Sequence, residues 1–155
     1  MLVRDCMKRE VTSIRPTVTI RQAAALIVER HVGLLPVVDE HERLIGVVRL
    51  HDLMSLELPD FVNLFPEVDF VHDFGAVETT RPEPELLQRQ ATTLMEPAIS
   101  AEEDCGLLRA YALMLHHSLL DLPVVTSDQK LVGLASRVDI GVAILSTWQT
   151  SDSPS

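Results

Sequence analysis

Two short patterns carry side chains whose types and spacing suit chemistry. Ser136-x-x-Asp139 and Arg49-x-x-Asp52 each stand where a strand-like stretch gives way to a helix-like one. The free N–H groups at a helix start, together with the helix dipole, favour an anion there. A carboxylate beside them accepts hydrogen bonds from neighbouring hydroxyls. The same aspartates also suit a plain structural task, because Asp is a favoured helix N-cap. Residue type and spacing leave both roles open. Arg49 and Arg137 equally suit ordinary surface or interface charges.

The remaining reactive side chains form no recognisable machinery. His116 and His117 are adjacent, and neighbours on a helix point about 100° apart. They cannot share a metal as an i, i+4 pair does. His51-Asp52 and His72-Asp73 offer no better set, so no metal site is expected. Cys6 and Cys105 lack CxxC spacing and read as half-buried small residues rather than nucleophiles. Neither a GxSxG elbow, an HExxH helix nor a phosphate-binding glycine loop is present. The chain is not expected to be an enzyme.

The elements that must position these residues can be read from composition and repetition. Apolar residues make up 46% of the 155 and charged residues 23%. That suffices for a core and excludes disorder for most of the chain. The longest apolar runs, such as 23–28, fall far short of the ~20 residues a membrane span needs. The start, MLVRDCMKRE, has no apolar signal region, and two unpaired cysteines fit a reducing compartment. A cytoplasmic location is therefore expected. Net charge is −10, which disfavours nucleic acid as a partner. Residues 55–90 concentrate it, with eight acids (Glu57, Asp60, Glu67, Asp69, Asp73, Glu78, Glu83, Glu85) against Arg81 and Arg89.

An offset of 87 residues lays the chain on itself. LPVV at 35–38 then meets LPVV at 122–125, Leu44 meets Leu131, Gly46 meets Gly133 and Asp52 meets Asp139. With one more residue of slip, Met7 meets Met95. Each copy reads alike. A short strand (11–14, 98–101) precedes an amphipathic helix. Thr19 caps the first helix, and Ile20, Ala23, Ala24 and Ile27 line its inner face. Leu107, Ala110, Tyr111 and Met114 do so in the second. Gly33 marks the expected helix stop. Strands 34–38 and 43–49, with 122–126 and 130–136, form hairpins, and a second helix begins near Asp52 or Asp139. Gly46 and Gly133 are expected to permit close strand packing. The expectation is an α+β fold of two β-α-β-β-α repeats packed with pseudo-twofold symmetry. Residues 1–57 and 91–147 are the repeats, 58–90 an acidic connecting insert and 148–155 a polar tail. All four Phe residues (61, 65, 70, 74) fall in the insert, which is expected to be ordered, covering a module edge or its dimer contact, docking a partner, or forming a lid over the cleft. Trp148 is expected to anchor the tail.

This arrangement resembles tandem CBS domains. The residues carrying the resemblance are DCM (5–7), LPVVD (35–39), GVVRLHD (46–52), LPVVT (122–126) and GLASRVD (133–139), within 3–57 and 91–146. The resemblance implies adenine-nucleotide sites in a cleft between the repeats. It gives Asp52 and Asp139 the ribose hydroxyls, and Ser136 a phosphate contact. Arg49 replaces the hydroxyl residue in the first copy, where it either pairs with a phosphate or fills the cleft. The resemblance also adds Thr12, Ile99 and Ser100 from the first short strands. Leu35, Pro36, Leu122 and Pro123 would face the adenine, Asp121 its polar edges, and Arg137 would lie nearby. The stronger site is expected at Ser136 and Asp139. The implied function is a regulatory sensor of AMP, ADP, ATP or S-adenosylmethionine, with no required cofactor. It would act through a ligand-dependent change of repeat orientation, as a homodimer regulating an unknown protein. The alternative is a ligand-free dimerisation or docking module. The acidic net charge favours AMP or a cationic adenosyl ligand over polyphosphates.

Overall fold

The computed structural model describes residues 1–58 and 82–149. The four Phe residues, most of the insert and the end of the tail lie outside the described residues.

In the first repeat, α1 (Ile20–Arg30) leads into β1 (Leu34–Val38), β2 (Leu44–Arg49) and α2 (Leu50–Met54). A short α3 (Pro84–Leu87) precedes the second repeat. That repeat runs β3 (Ala101–Glu102), α4 (Leu107–His116), β4 (Asp121–Val125), β5 (Leu131–Ser136) and α5 (Arg137–Ser146). Thr19 starts α1 as a reciprocal cap. Its hydroxyl accepts the Gln22 N–H at 3.1 Å, and the Gln22 side chain accepts the Thr19 N–H at 3.0 Å. Ile20, Ala23 and Ile27 then turn inward, as their spacing requires.

The helix stop differs from expectation. His31, not Gly33, adopts the left-handed conformation that ends α1. Among the described residues, positive φ occurs at His31, Glu42, Ser118 and Gln129. These are two pairs at the 87-residue offset, so backbone conformation repeats where residue type does not.

β1 pairs with β2 antiparallel, Leu34 opposite Arg49, and β4 pairs with β5 in the same register, Asp121 opposite Ser136. The expected first strands shrink. Ala101 and Glu102 pair in parallel with Val124 and Val125, whereas the first repeat keeps only the rung between Ile14 and Val37. Proline explains the difference. Glu103 donates its N–H to the Val125 carbonyl, and the equivalent position is Pro16, which has no N–H.

The repeats are tied at two places. At the hairpin tips, Leu44 donates to the Gln129 carbonyl at 2.9 Å and Leu131 to the Glu42 carbonyl at 3.0 Å. The opening segment of each repeat crosses to the other. Lys8 exchanges two backbone hydrogen bonds with Leu134 on β5, and Glu96 does so with Val47 on β2. Val3 and Met7 therefore join the second core, with Leu122, Ala135 and Ile140, while Ala91 and Met95 pack with the first, around Ala23, Leu35 and Val48. Met7 and Met95 lie over Gly133 and Gly46, where any Cβ would collide with them. Trp148 is 70% exposed, so its side chain does not anchor the tail.

Candidate functional site between the repeats

Strand alternation decides which residues of the repeated LPVV can meet a ligand. Leu35 and Leu122 point into the two cores and are fully buried. This corrects their expected place against an adenine. Their neighbours Leu34, Asp121 and Pro123 face the space between the repeats. Pro36 is fully buried. Two adjoining cavities occupy that space, of about 270 and 380 Å³, sharing Leu34, Arg49, Leu119 and Asp121. Together they fall within the usual size of ligand clefts, roughly 300–1000 Å³. Val47 and Arg49 of β2 form one wall, and Pro97, Ile99 and His117 complete the other.

Arg49 stands in this cleft already matched. Its Nε donates to Glu96 Oε2 at 2.7 Å, its Nη2 lies 2.5 Å from the same oxygen, and Asp52 Oδ2 is 3.9 Å away. Asp52 accepts the Arg49 backbone N–H at 2.8 Å. It is almost fully buried. Burial pushes its carboxyl above the usual range and Glu96 adds to this, while the bonds from Arg49 oppose both.

The second copy is built on the same frame with different charges. Ser136 Oγ accepts the Asp139 N–H, and Asp139 Oδ2 accepts the Ser136 N–H, both at 3.0 Å. Asp139 and Asp52 thus stand in the third position of their helices rather than at the N-cap; Asp139 is the reciprocal partner of Ser136, whereas Asp52 only accepts from Arg49, whose guanidinium has no acceptor to give back. Lys8 Nζ is 4.0 Å from Asp139 Oδ2. Burial raises the Asp121 carboxyl, the Lys8 ammonium lowers it and Asp139 raises it further. Arg137 turns away from the cavities. Its Nε donates to the Leu119 carbonyl and its N–H to the Leu120 carbonyl, tying α5 to the loop before β4.

The other expected residues scatter. Thr12 lines a groove with Arg9, Glu10, Arg30 and Val32. Ser100 lies in a separate groove beside Asp104, Arg109 and His116. The structure brings Arg49, Ile99, Asp121 and Pro123 to one cleft between the repeats. Glu96, His117 and Lys8 were missed. The one-residue slip that aligned Met7 with Met95 was the available signal, since it also aligns Lys8 with Glu96.

Burial raises the thiols of Cys6 and Cys105, which leaves them poor nucleophiles. Among the described residues no group of three or more His, Cys, Asp or Glu is placed to hold a metal. No helix among them is long and apolar enough to cross a membrane.

The family model for the CBS domain matches twice, at residues 3–58 and 91–146. A chloroplastic CBS domain-containing protein of Arabidopsis thaliana, CBSX1, is 33% identical over 94% of this chain and 64% of its own length. Its relative CBSX2 is 31% identical over 85% of this chain and 58% of its own. The chain thus spans less than two thirds of these relatives. The crystal structure of CBSX2 in complex with AMP superposes with a TM-score of 0.70 at 27% identity, covering 95% of this chain and 98% of that one. A CBS domain pair of protein MJ0100, in complex with 5′-methylthioadenosine and S-adenosylmethionine, shares the fold at 19% identity with a TM-score of 0.68. Two matches of the family model, on two repeats that share cores across their boundary, establish that the chain belongs to the CBS domain family as a tandem pair.

Proposed function

We propose that this chain is a regulatory module that binds an adenosine-containing ligand between its repeats. The observation that carries this reading is the shared cleft, in which Leu34, Val47 and Arg49 come from one repeat and Ile99, Asp121 and Pro123 from the other. A ligand touching both walls binds best at one relative placement of the repeats, so occupancy shifts that placement. Its apolar walls suit a purine face, and the carboxylate of Asp121 suits hydroxyl or amino groups. The AMP complex of a relative with the same fold supports this ligand class. A protein partner would read the resulting orientation, and the module would act as a homodimer.

A thermal-shift titration with AMP, ADP, ATP and S-adenosylmethionine, with GTP as control, tests the reading. A ligand at 100 times its Kd stabilises the fold by about 2.7 kcal/mol, worth a few degrees of melting temperature. The shift should appear with an adenosyl ligand, not with GTP, and diminish in Asp52→Ala or Asp139→Ala. Absence of any shift at millimolar concentration sinks it. Such a result would favour a ligand-free assembly module, whose supporting observation is that Arg49, held by Glu96 and Asp52, occupies the cleft itself.

A further inference from the structure

The two repeats build equivalent surroundings for a ligand, and the charges at one pair of equivalent positions, Glu96 and Lys8, are opposed. Glu96 bonds to Val47 on β2 as Lys8 bonds to Leu134 on β5, so the crossing segments deliver an anion to the Arg49 side and a cation to the Ser136 side. The next residue in each segment repeats the contrast, Pro97 against Arg9. The 87-residue offset sets His117 against Arg30 and Ile99 against Thr12. Pro97, Ile99 and His117 line the cleft beside Arg49. Arg9, Thr12 and Arg30 line the groove of the other copy.

On the Arg49 side the sole guanidinium is bonded to Glu96 and lies near Asp52. Asp121 adds a further carboxylate to the wall. A phosphate entering there must compete with Glu96 for Arg49, beside the carboxylates of Asp52 and Asp121, and this repulsion weakens its binding. A neutral or cationic group meets no such obstacle. On the other side Lys8 is 70% exposed and only 4.0 Å from Asp139, and Arg9 and Arg30 are both exposed. Lys8 faces the carboxylates of Asp139 and Asp121 from an exposed position, and exposed cations such as these can turn toward a phosphate.

We propose that the two clefts sort adenosine compounds by phosphate, with Glu96 and Lys8 as the discriminating residues. The Arg49 cleft takes a phosphate-free compound, a sulfonium cation in preference to a neutral nucleoside. The groove of Arg9, Thr12 and Arg30, which follows Lys8 in the chain, takes a phosphate-bearing one. This rests on the reading of the chain as an adenosyl-ligand binder.

The test is calorimetric titration of the full chain with AMP and with S-adenosylmethionine, localised by the NMR signals of the His117 ring, assigned through His117→Gln. S-adenosylmethionine should shift the His117 signals, and its affinity should survive Lys8→Gln. AMP should leave them unmoved and lose about tenfold in affinity in Lys8→Gln, equivalent to 1.4 kcal/mol. Glu96→Lys should let AMP reach His117. Lys8 and Glu96 side chains are both substantially exposed, so the variants keep their backbone pairing and fold. If AMP shifts His117 in the unaltered chain at least as readily as S-adenosylmethionine does, or if Glu96→Lys changes nothing, the sorting is wrong while the binding reading stands. If neither compound binds any form, both fall.

Discussion

Asp121 holds a half-buried carboxylate at the wall of the cleft. Burial is the largest influence on its acidity and Asp139 adds to it, so Lys8 only partly compensates and its pKa stands above the ordinary 3.8. The sign follows directly. At neutral pH the group is ionised in both the folded and the unfolded chain, and folding carries the desolvation cost. As pH falls through the raised value, the folded state binds its proton first and the cost is relieved. Asp121→Asn should therefore melt higher than the unaltered chain at pH 7. That advantage should shrink as pH is lowered and vanish below 3.8, where both carry a neutral group. Thermal denaturation of the two proteins from pH 7 to 3.5 checks this. Equal melting temperatures at pH 7 would mean that Lys8 fully compensates the burial. The aspartates of the repeated motif could be found in the sequence because they recur at a fixed offset. Their position inside the helix could not, because an N-cap and the reciprocal partner of a cap differ by three residues and a hydrogen bond.

The crossing segments are the elements that make two half-cores into one molecule. Gly46 admits Met95 so closely that a Cβ would sit 2.5 Å from Met95 Cγ and Sδ and 2.9 Å from the Glu96 carbonyl oxygen. The methionine can move, but the carbonyl is fixed by its bond from the Val47 N–H at 2.9 Å. Gly46→Ala should destabilise the fold by about 2 kcal/mol. Adding Met95→Ala should cost less than the sum of the two single effects, because one change relieves the other. Urea denaturation of the four proteins measures both. Strict additivity would show that the methionine does not press on this glycine. Period and capping made α1, α4 and both hairpins legible in the sequence, whereas the first strands were overdrawn because pairing there depends on one N–H that Pro16 lacks. The exchange of segments between repeats leaves no periodic signal of its own. Only the slip from 87 to 88 betrays it.

At the scale of the whole molecule, the cleft draws on the hairpins and on α2, whereas no residue of α4 or α5 lines it. The outer surface of these two helices is not finished. On α4, Leu108, Ala112 and Leu115 are exposed, and on α5 so are Val138, Val142 and Leu145. Each set follows the i, i+4, i+7 spacing of a single helical stripe. The two helices pack on each other, so the stripes lie on neighbouring elements. Val28 on α1 is 80% exposed, which extends apolar surface to the pseudo-equivalent helix of the first repeat. Apolar stripes on neighbouring helices mark association sites rather than ordinary surface, and a self-complementary face closes as a twofold dimer. A homodimer through these helices would leave the cleft open and give a partner two ligand-sensitive modules at once. Val142→Asp places a charge in the middle of the α5 stripe at an exposed position, so the fold should keep its melting behaviour. The protein should then sediment as a monomer, whereas the unaltered chain should sediment as a dimer at micromolar concentration. A monomer before substitution, or a dimer that survives Val142→Asp and Leu108→Asp together, would remove this face from any account of assembly.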